Sequence, residues 1–345
     1  MSTILIRLLL LLGALALPGA LNAQSGSVSG PGSGESSGES SGESSGETGE
    51  PSLSLPDAVP DALFSGSRSR QVLMAQVLLD RSRHSPGVID GFSGANTSRA
   101  IRHYRRAHHL PEGDGIDERL MRSLVETQGS EVFTRYTITQ EDAAGPFETV
   151  PSGMVEMAEM ERVGWNSPEE KLAERFHMAQ SFLEALNPEA DFGSAGTEIF
   201  VVERGDEEFS GELARIEVLK SENSVVALDA EGKVLASYPA TIGSDQFPSP
   251  SGEMEVTAVA PEANYTFTPE GRDWGPDETL VIPPGPNNPV GGIWIDLSKE
   301  GYGIHGSPDP QLIGKTASHG CVRLTNWDAR ALAGAASQGI PVSFE

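Results

Sequence analysis

Two short stretches hold the side chains best suited to covalent chemistry: Gly303-Ile304-His305-Gly306-Ser307 and Ser318-His319-Gly320-Cys321-Val322-Arg323-Leu324. Cys321 is the sole cysteine of the chain. It therefore has no internal disulfide partner and no companion thiolates for a multi-cysteine zinc site. A thiolate is a strong nucleophile, but an ordinary thiol, with a pKa of about 8.5, needs a neighbouring cation, donors or a base to reach that form. Histidine can supply the charge and take the proton, because it titrates at about 6.5. Two histidines qualify: His319, two positions before Cys321, and His305, 16 positions before it. The short chain between His319 and Cys321 limits their angle of approach, whereas a histidine from another loop can be aimed freely. His305 is thus the expected base and His319 a supporting residue. Gly306 would let a backbone carbonyl approach and fix the imidazole tautomer. Gly320 would free backbone N–H groups to serve as an oxyanion hole. The alternative is a buried cysteine with two packed histidines; so tight a cluster speaks against it.

These residues need a scaffold, and from Glu212 onward the pattern becomes that of short strands. Arg215 to Lys220 alternates in and out. Ser224 to Leu228 and Lys233 to Tyr238 flank Asp229-Ala230-Glu231-Gly232, a hairpin turn. Further strand-like pieces lie at Glu255 to Val259, Thr279 to Ile282 and Gly292 to Leu297, with Pro and Gly clustered between them. Residues 212–345 read as a mostly-β domain.

The chain has 345 residues, enough for two or three folded units. Its formal net charge of -26 argues against nucleic acid as the main partner, since phosphate binding needs a basic surface. That charge is unevenly spread. Residues 62–128 hold ten arginines against seven acids, whereas residues 129–345 hold 13 basic residues against 36 acids. The asymmetry marks a domain boundary.

Residues 1–23 carry Arg7, an apolar run from Leu8 to Leu17 broken only by Gly13, and small residues near Ala23. This is the pattern of a cleaved secretory signal peptide. The run is too short to span a bilayer, and no cysteine follows it to take a lipid. The expectation is an exported protein of the periplasm or cell wall, with no transmembrane segment after cleavage. Residues 24–61 form a Gly/Ser/Glu-rich linker, with G-E-S-S repeating from Gly34 to Gly46, a composition that stays extended and flexible.

Within residues 62–128, Val72, Ala75, Leu78 and Leu79 recur at helical spacing, as do Ala100, Ile101, Tyr104 and Ala107. Asn96-Thr97 can cap the second helix, and Leu120, Met121, Leu124 and Val125 after Asp117 form a third. The loop between the first two reads V-I-D-G-F-S-G-A-N-T. Here the segment resembles the peptidoglycan-binding domain, a three-helix module, although Tyr104-Arg105 stands where that family usually has an aromatic-Gln pair. The resemblance implies wall binding. A helical spacer with no ligand is the competing reading.

Residues 129–211 start with a strand-like Thr134 to Thr139 and then carry a long insertion. Ser167-Pro168-Glu169-Glu170 opens a helix, Phe182 to Leu186 forms a second, and Thr197 to Val202 is a closing strand. L-A-E-R-F-H-M, F-L-E-A-L-N-P and G-T-E-I-F-V-V resemble the latter part of a LysM module, a βααβ carbohydrate binder. The insertion departs from that pattern. His177 reads as a packed helix residue rather than a ligand.

G-Y-G-I-H-G-S, I-G-K-T-A-S-H-G-C-V-R-L and N-W-D-A-R-A-L make residues 212–345 resemble the L,D-transpeptidase catalytic domain of the YkuD type. The fold class implied is multidomain α+β: a three-helix module, a small βααβ unit and a mostly-β catalytic domain. By position, Cys321 matches the nucleophile and His305 the proton donor and acceptor. Gly306, Gly320 and His319 stand at oxyanion or orienting positions, and Ser318, Arg323 and Tyr302 at substrate-binding ones. Some members carry Asn where Arg323 stands. An arginine there suits a substrate carboxylate, which its fork can bind twice; a structural ion pair is the other use.

The activity implied is acyl transfer through a thioester on Cys321. The donor would be a peptidoglycan stem tetrapeptide, and the acceptor a diaminopimelate or lysine amine. No metal or cofactor is needed. Two other readings remain open: transfer to water, making a carboxypeptidase, and a non-catalytic wall-binding protein.

Overall fold

The computed structural model describes residues 61–205, 209–243, 248–269, 275–318 and 320–345. The signal sequence and nearly all of the linker lie outside the described residues. All of the described residues fall in a unit that runs from Gly49 to Glu345.

Three helices open the described chain: α1 (Arg70–Arg81), α2 (Ala95–Ala107) and α3 (Glu118–Gln128). Ser69 caps α1, accepting from the Val72 N–H at 3.4 Å, and Asp117 caps α3, accepting from Leu120 at 2.8 Å. The expected cap of α2 is corrected. Gly94 is the N-cap and makes no side-chain cap bond, while Asn96 and Thr97 sit buried in the first turn. Their side chains are used in tertiary contacts instead: Thr97 Oγ1 accepts from Gln76, and Asn96 Nδ2 donates to the Ile313 carbonyl at 2.9 Å.

Strand β1 (Phe133–Thr137) is followed by α4 (Gln140–Ala143), α5 (Met154–Ala158), α6 (Pro168–Arg175), α7 (Gln180–Leu186) and β2 (Glu198–Val202). β1 and β2 pair antiparallel, with Phe133 opposite Val202. The insertion thus carries two short helices of its own. Ser167 caps α6 with Pro168 in its first turn, so the missing proline N–H falls where no helical bond is made. One hydrophobic cluster runs from Leu73 and Leu78 through Leu124 to Phe182 and Val201. The segments on either side of residue 128 therefore bury their apolar faces against each other rather than in separate cores.

The remaining strands are β3 (Arg215–Leu219), β4 (Ser224–Leu228), β5 (Val234–Pro239), β6 (Gly252–Ala260), β7 (Tyr265–Phe267), β8 (Leu280–Ile282), β9 (Trp294–Leu297), β10 (Gly303–His305), β11 (Val322–Arg323) and, after α8 (Asn326–Ala335), β12 (Pro341–Phe344). Eight of them form one sheet in the order β11-β10-β9-β6-β12-β3-β4-β5. β12 enters between β6 and β3, parallel to β3 and antiparallel to β6, so the end of the chain locks the sheet's centre. Ile216, Val218, Ile295, Ile304, Val322 and Leu332 meet in a second core. Each such fully buried aliphatic side chain contributes about 1.5–3 kcal/mol of burial free energy. Among the described residues no helix is long and apolar enough to cross a membrane.

The two cores are joined along β5 and α8. Ser237 accepts from and donates to the backbone around Arg83 to Ser85, and the buried Ser85 hydroxyl donates to Asp328 at 2.9 Å.

Candidate active site

His305 ends β10, and Cys321 leads directly into β11. The two strands pair in parallel, with Ile304 beside Val322 and His305 beside Arg323. Ile304 and Val322 are fully buried in the core of the sheet. Alternation therefore places His305 and Arg323 together on the opposite face. Cys321 enters β11 one residue ahead of Val322, abreast of Gly303. At strand spacings of about 4.8 Å and a rise of about 3.3 Å per residue, that offset sets the Cα atoms of Cys321 and His305 on the order of 8 Å apart.

The imidazole of His305 is held from two sides. Its Nδ1 lies 2.7 Å from the Gly306 carbonyl. A carbonyl only accepts, so Nδ1 carries the hydrogen and Nε2 keeps its lone pair. On β9, Trp294 pairs with His305 and stacks on its ring. Burial, only partly opposed by the Gly306 hydrogen bond and reinforced by the Arg323 cation, lowers the His305 pKa from 6.5 to about 4. The ring is thus a neutral base at neutral pH.

Cys321 is half-buried, with its Sγ 3.6 Å from the Gly301 carbonyl. A serine-lined turn shapes the backbone around it. Ser318 Oγ donates to the Cys321 carbonyl at 2.5 Å and accepts from the Gly320 N–H at 3.1 Å. Ser249 Oγ donates to the Gly320 carbonyl at 2.6 Å and accepts from the Gly243 N–H. Gly320 has a φ of 121°, a conformation that side chains rarely adopt, and a β-carbon there would stand 3.1 Å from the Tyr302 ring.

The sequence-derived residues are therefore distributed as follows. His305, Gly306, Cys321, Gly320 and Arg323 are brought together at the β10–β11 edge. Tyr302 flanks Gly320 and carries the Lys299 ammonium 4.7 Å above its ring. Ser318 is buried within the thiol's turn, where its Oγ accepts from the Gly320 N–H. His319 lies outside the described residues. Arg323 Nε is buried with no hydrogen-bond partner among the described residues.

Two contributors were not foreseen: Trp294 and Ser249. Trp294 stood within an expected strand, but nothing in its local pattern tied it to His305. Among the described residues, no three His, Cys, Asp or Glu side chains converge as a metal-ligand set.

Residues 214–343 match the YkuD model, the L,D-transpeptidase catalytic domain. The chain is 41% identical over 81 residues to a putative L,D-transpeptidase YkuD of Bacillus licheniformis, covering 23% of this chain and 46% of that protein. It is 30% identical over 119 residues to the putative L,D-transpeptidase YkuD of Bacillus subtilis, covering 34% of this chain and 58% of that one. The chain thus spans about half the length of these curated relatives. Among solved structures, the catalytic domain of an Enterococcus faecium L,D-transpeptidase aligns at 25% identity with a TM-score of 0.31, covering 39% of this chain and 99% of that one.

Proposed function

We propose that the protein is a cysteine-dependent L,D-transpeptidase acting on peptidoglycan outside the cytoplasm. The observation that supports the reading is the pairing of β10 with β11, which brings the strand entered by Cys321 alongside the one that ends in His305, whose Nδ1–H is committed to Gly306.

The chemistry follows from those two groups. The Cys321 thiol gives its proton to His305 Nε2 as sulfur attacks the carbonyl of the third stem residue, a diaminopimelate L-centre. The tetrahedral oxyanion collapses and the C–N bond breaks. His305 returns the proton to the departing terminal D-Ala amine, leaving a Cys321 thioester. An acceptor amine of a second stem, or of a wall-attached protein, then loses a proton to His305 and attacks the thioester. The new amide forms and the thiol is restored. Arg323 would hold a stem carboxylate in a charge-assisted contact, and Tyr302 would border the donor groove. Because Ser318 occupies the Gly320 N–H, Gly320 serves by opening the turn, and Ser318 by holding it.

The signal-like leader and the linker fit export to the periplasm or wall. Residues 62–128 would hold the enzyme on peptidoglycan.

The test is incubation of the protein with purified tetrapeptide stems, with and without an added amine acceptor, read by mass spectrometry. A mass increment on Cys321 and an amide product that grows with acceptor are expected, and Cys321→Ala should give neither. Product that forms equally well with the alanine variant ends the proposal. Hydrolysed tripeptide alone, whatever amine is added, makes water the acceptor and the protein a carboxypeptidase. Retention on wall material with no adduct leaves a binding protein.

A further inference from the structure

Asn326 sits at the first position of α8, 2% exposed, with both amide hydrogens and one lone pair of its oxygen in hydrogen bonds. Its Oδ1 accepts from the Ser307 N–H at 2.9 Å. Its Nδ2 donates to Glu174 Oε2 at 2.9 Å and to the Pro286 carbonyl at 3.0 Å. Two acceptors on one side and a donor on the other leave one orientation of the amide. Oδ1 also lies where a side chain at Gly306 would go, since a β-carbon there would stand only 2.4 Å from it. The carbonyl of that same Gly306 holds His305 Nδ1.

Glu174 lies on α6, outside the residues that match the catalytic-domain model. The same segment grips the loop before β9 a second time. Val163 N–H donates to the Pro284 carbonyl at 3.1 Å, and Asn287 Nδ2 donates to Glu170 Oε1 at 2.7 Å. Thus both the loop that contains Pro286 and the amide of Asn326 are set from the middle segment.

We infer that Glu174 is a positioning residue for the base: through Asn326 it holds the Gly306 carbonyl, and so the tautomer and aim of His305, which makes residues 163–174 a working part of the catalytic unit. The inference rests on the proposed acyl transfer only for its effect on rate. The state of the His305 ring can be read without any substrate.

Glu174→Ala leaves Asn326 Nδ2 with only the Pro286 carbonyl and lets the amide turn. Glu174→Gln keeps an acceptor at the same reach. The experiment compares the full-length protein with both variants, each checked for unchanged near-UV circular dichroism. The readouts are nitrogen NMR of the His305 ring, kcat and KM. In Glu174→Ala the Nδ1–H form of His305 should lose population, and kcat should fall about tenfold with KM within about twofold, as for a misaimed catalytic group. Glu174→Gln should keep the native ring signals and at least half of kcat. A native His305 spectrum in Glu174→Ala overturns the inference, and so does equal damage from alanine and glutamine. If the native protein transfers no acyl group, the proposed function fails, while the ring signals still decide the fate of this relay.

Discussion

Trp294 stacks on His305 with the ring centroids 5.3 Å apart and the planes 21° from parallel. The contact exists because the residue two before His305 is glycine. A β-carbon on Gly303 would stand 2.4 Å from the Trp294 ring. The indole therefore lies flat across β10, covers the imidazole and keeps water from it, and burial is the chief cause of the low His305 pKa.

Gly303→Ala should push the indole off His305. The expected result is a His305 pKa that rises toward the ordinary value and an activity lower by about tenfold, since a small misplacement of a catalytic group is costly. NMR titration of the ring and steady-state rates measure both. An unchanged titration would mean that Trp294 does not set the environment of the base.

The pH dependence of kcat/KM has a definite sign. In the proposed acyl transfer His305 works unprotonated, so activity should be lost as pH falls through its folded pKa. With that value at about 4, the acid limb should be centred near pH 4 and the rate should stay flat from pH 6 to 7. A half-maximal rate near 6.5 would contradict a buried, water-shielded base.

Arg323→Gln separates two uses of the guanidinium. The cation lowers the His305 pKa, so its removal should move the acid limb upward. If its guanidinium meets a substrate carboxylate, KM for a stem donor should rise about tenfold or more, and amidation of that carboxylate should erase the difference. An equal KM effect on both donors would assign the residue to structure alone.

His84 should make folding stability fall on mild acidification. His84 is fully buried, with Nδ1 2.9 Å from Ser237 Oγ, and burial lowers its pKa to about 3. It is neutral when folded and charged when unfolded between pH 6.5 and 3, so the unfolded chain binds the extra proton there. Its stabilisation is whole above 6.5 and diminishes as pH falls. His103 and His305 act in the same direction, while Glu174 and Asp328, raised by burial, act in the opposite one. The decisive comparison is differential. His84→Asn should lower the slope of unfolding free energy against pH, near pH 5, by about 1.4 kcal/mol per unit. Denaturant melts of the two proteins at several pH values give that slope. Parallel slopes would mean that His84 keeps its proton in the folded state.

The local elements were legible where their signals were local. Asp117 ahead of α3, the proline start of α6 and the alternation of β3 each occupy a few consecutive residues. β10 and β11 have three and two residues, too few for any periodicity to register, although they carry the site. Asn96 looked like a helix cap because Asn favours caps; its use by the Ile313 carbonyl lies 217 positions away along the chain.

By itself, the sequence determined the chemistry on offer. A single thiol, two nearby histidines and a run of glycines in a fixed order are properties of residue type and spacing, and no folding is needed to read them. Only the tertiary structure decided how that chemistry is tuned. Whether an imidazole is neutral depends on the indole laid over it, and its tautomer on a carbonyl held by an amide on another helix. That amide's orientation depends in turn on a carboxylate 152 residues earlier in the chain. Burial and hydrogen-bond direction are set by what the fold brings within a few ångströms, and no separation along the chain encodes that.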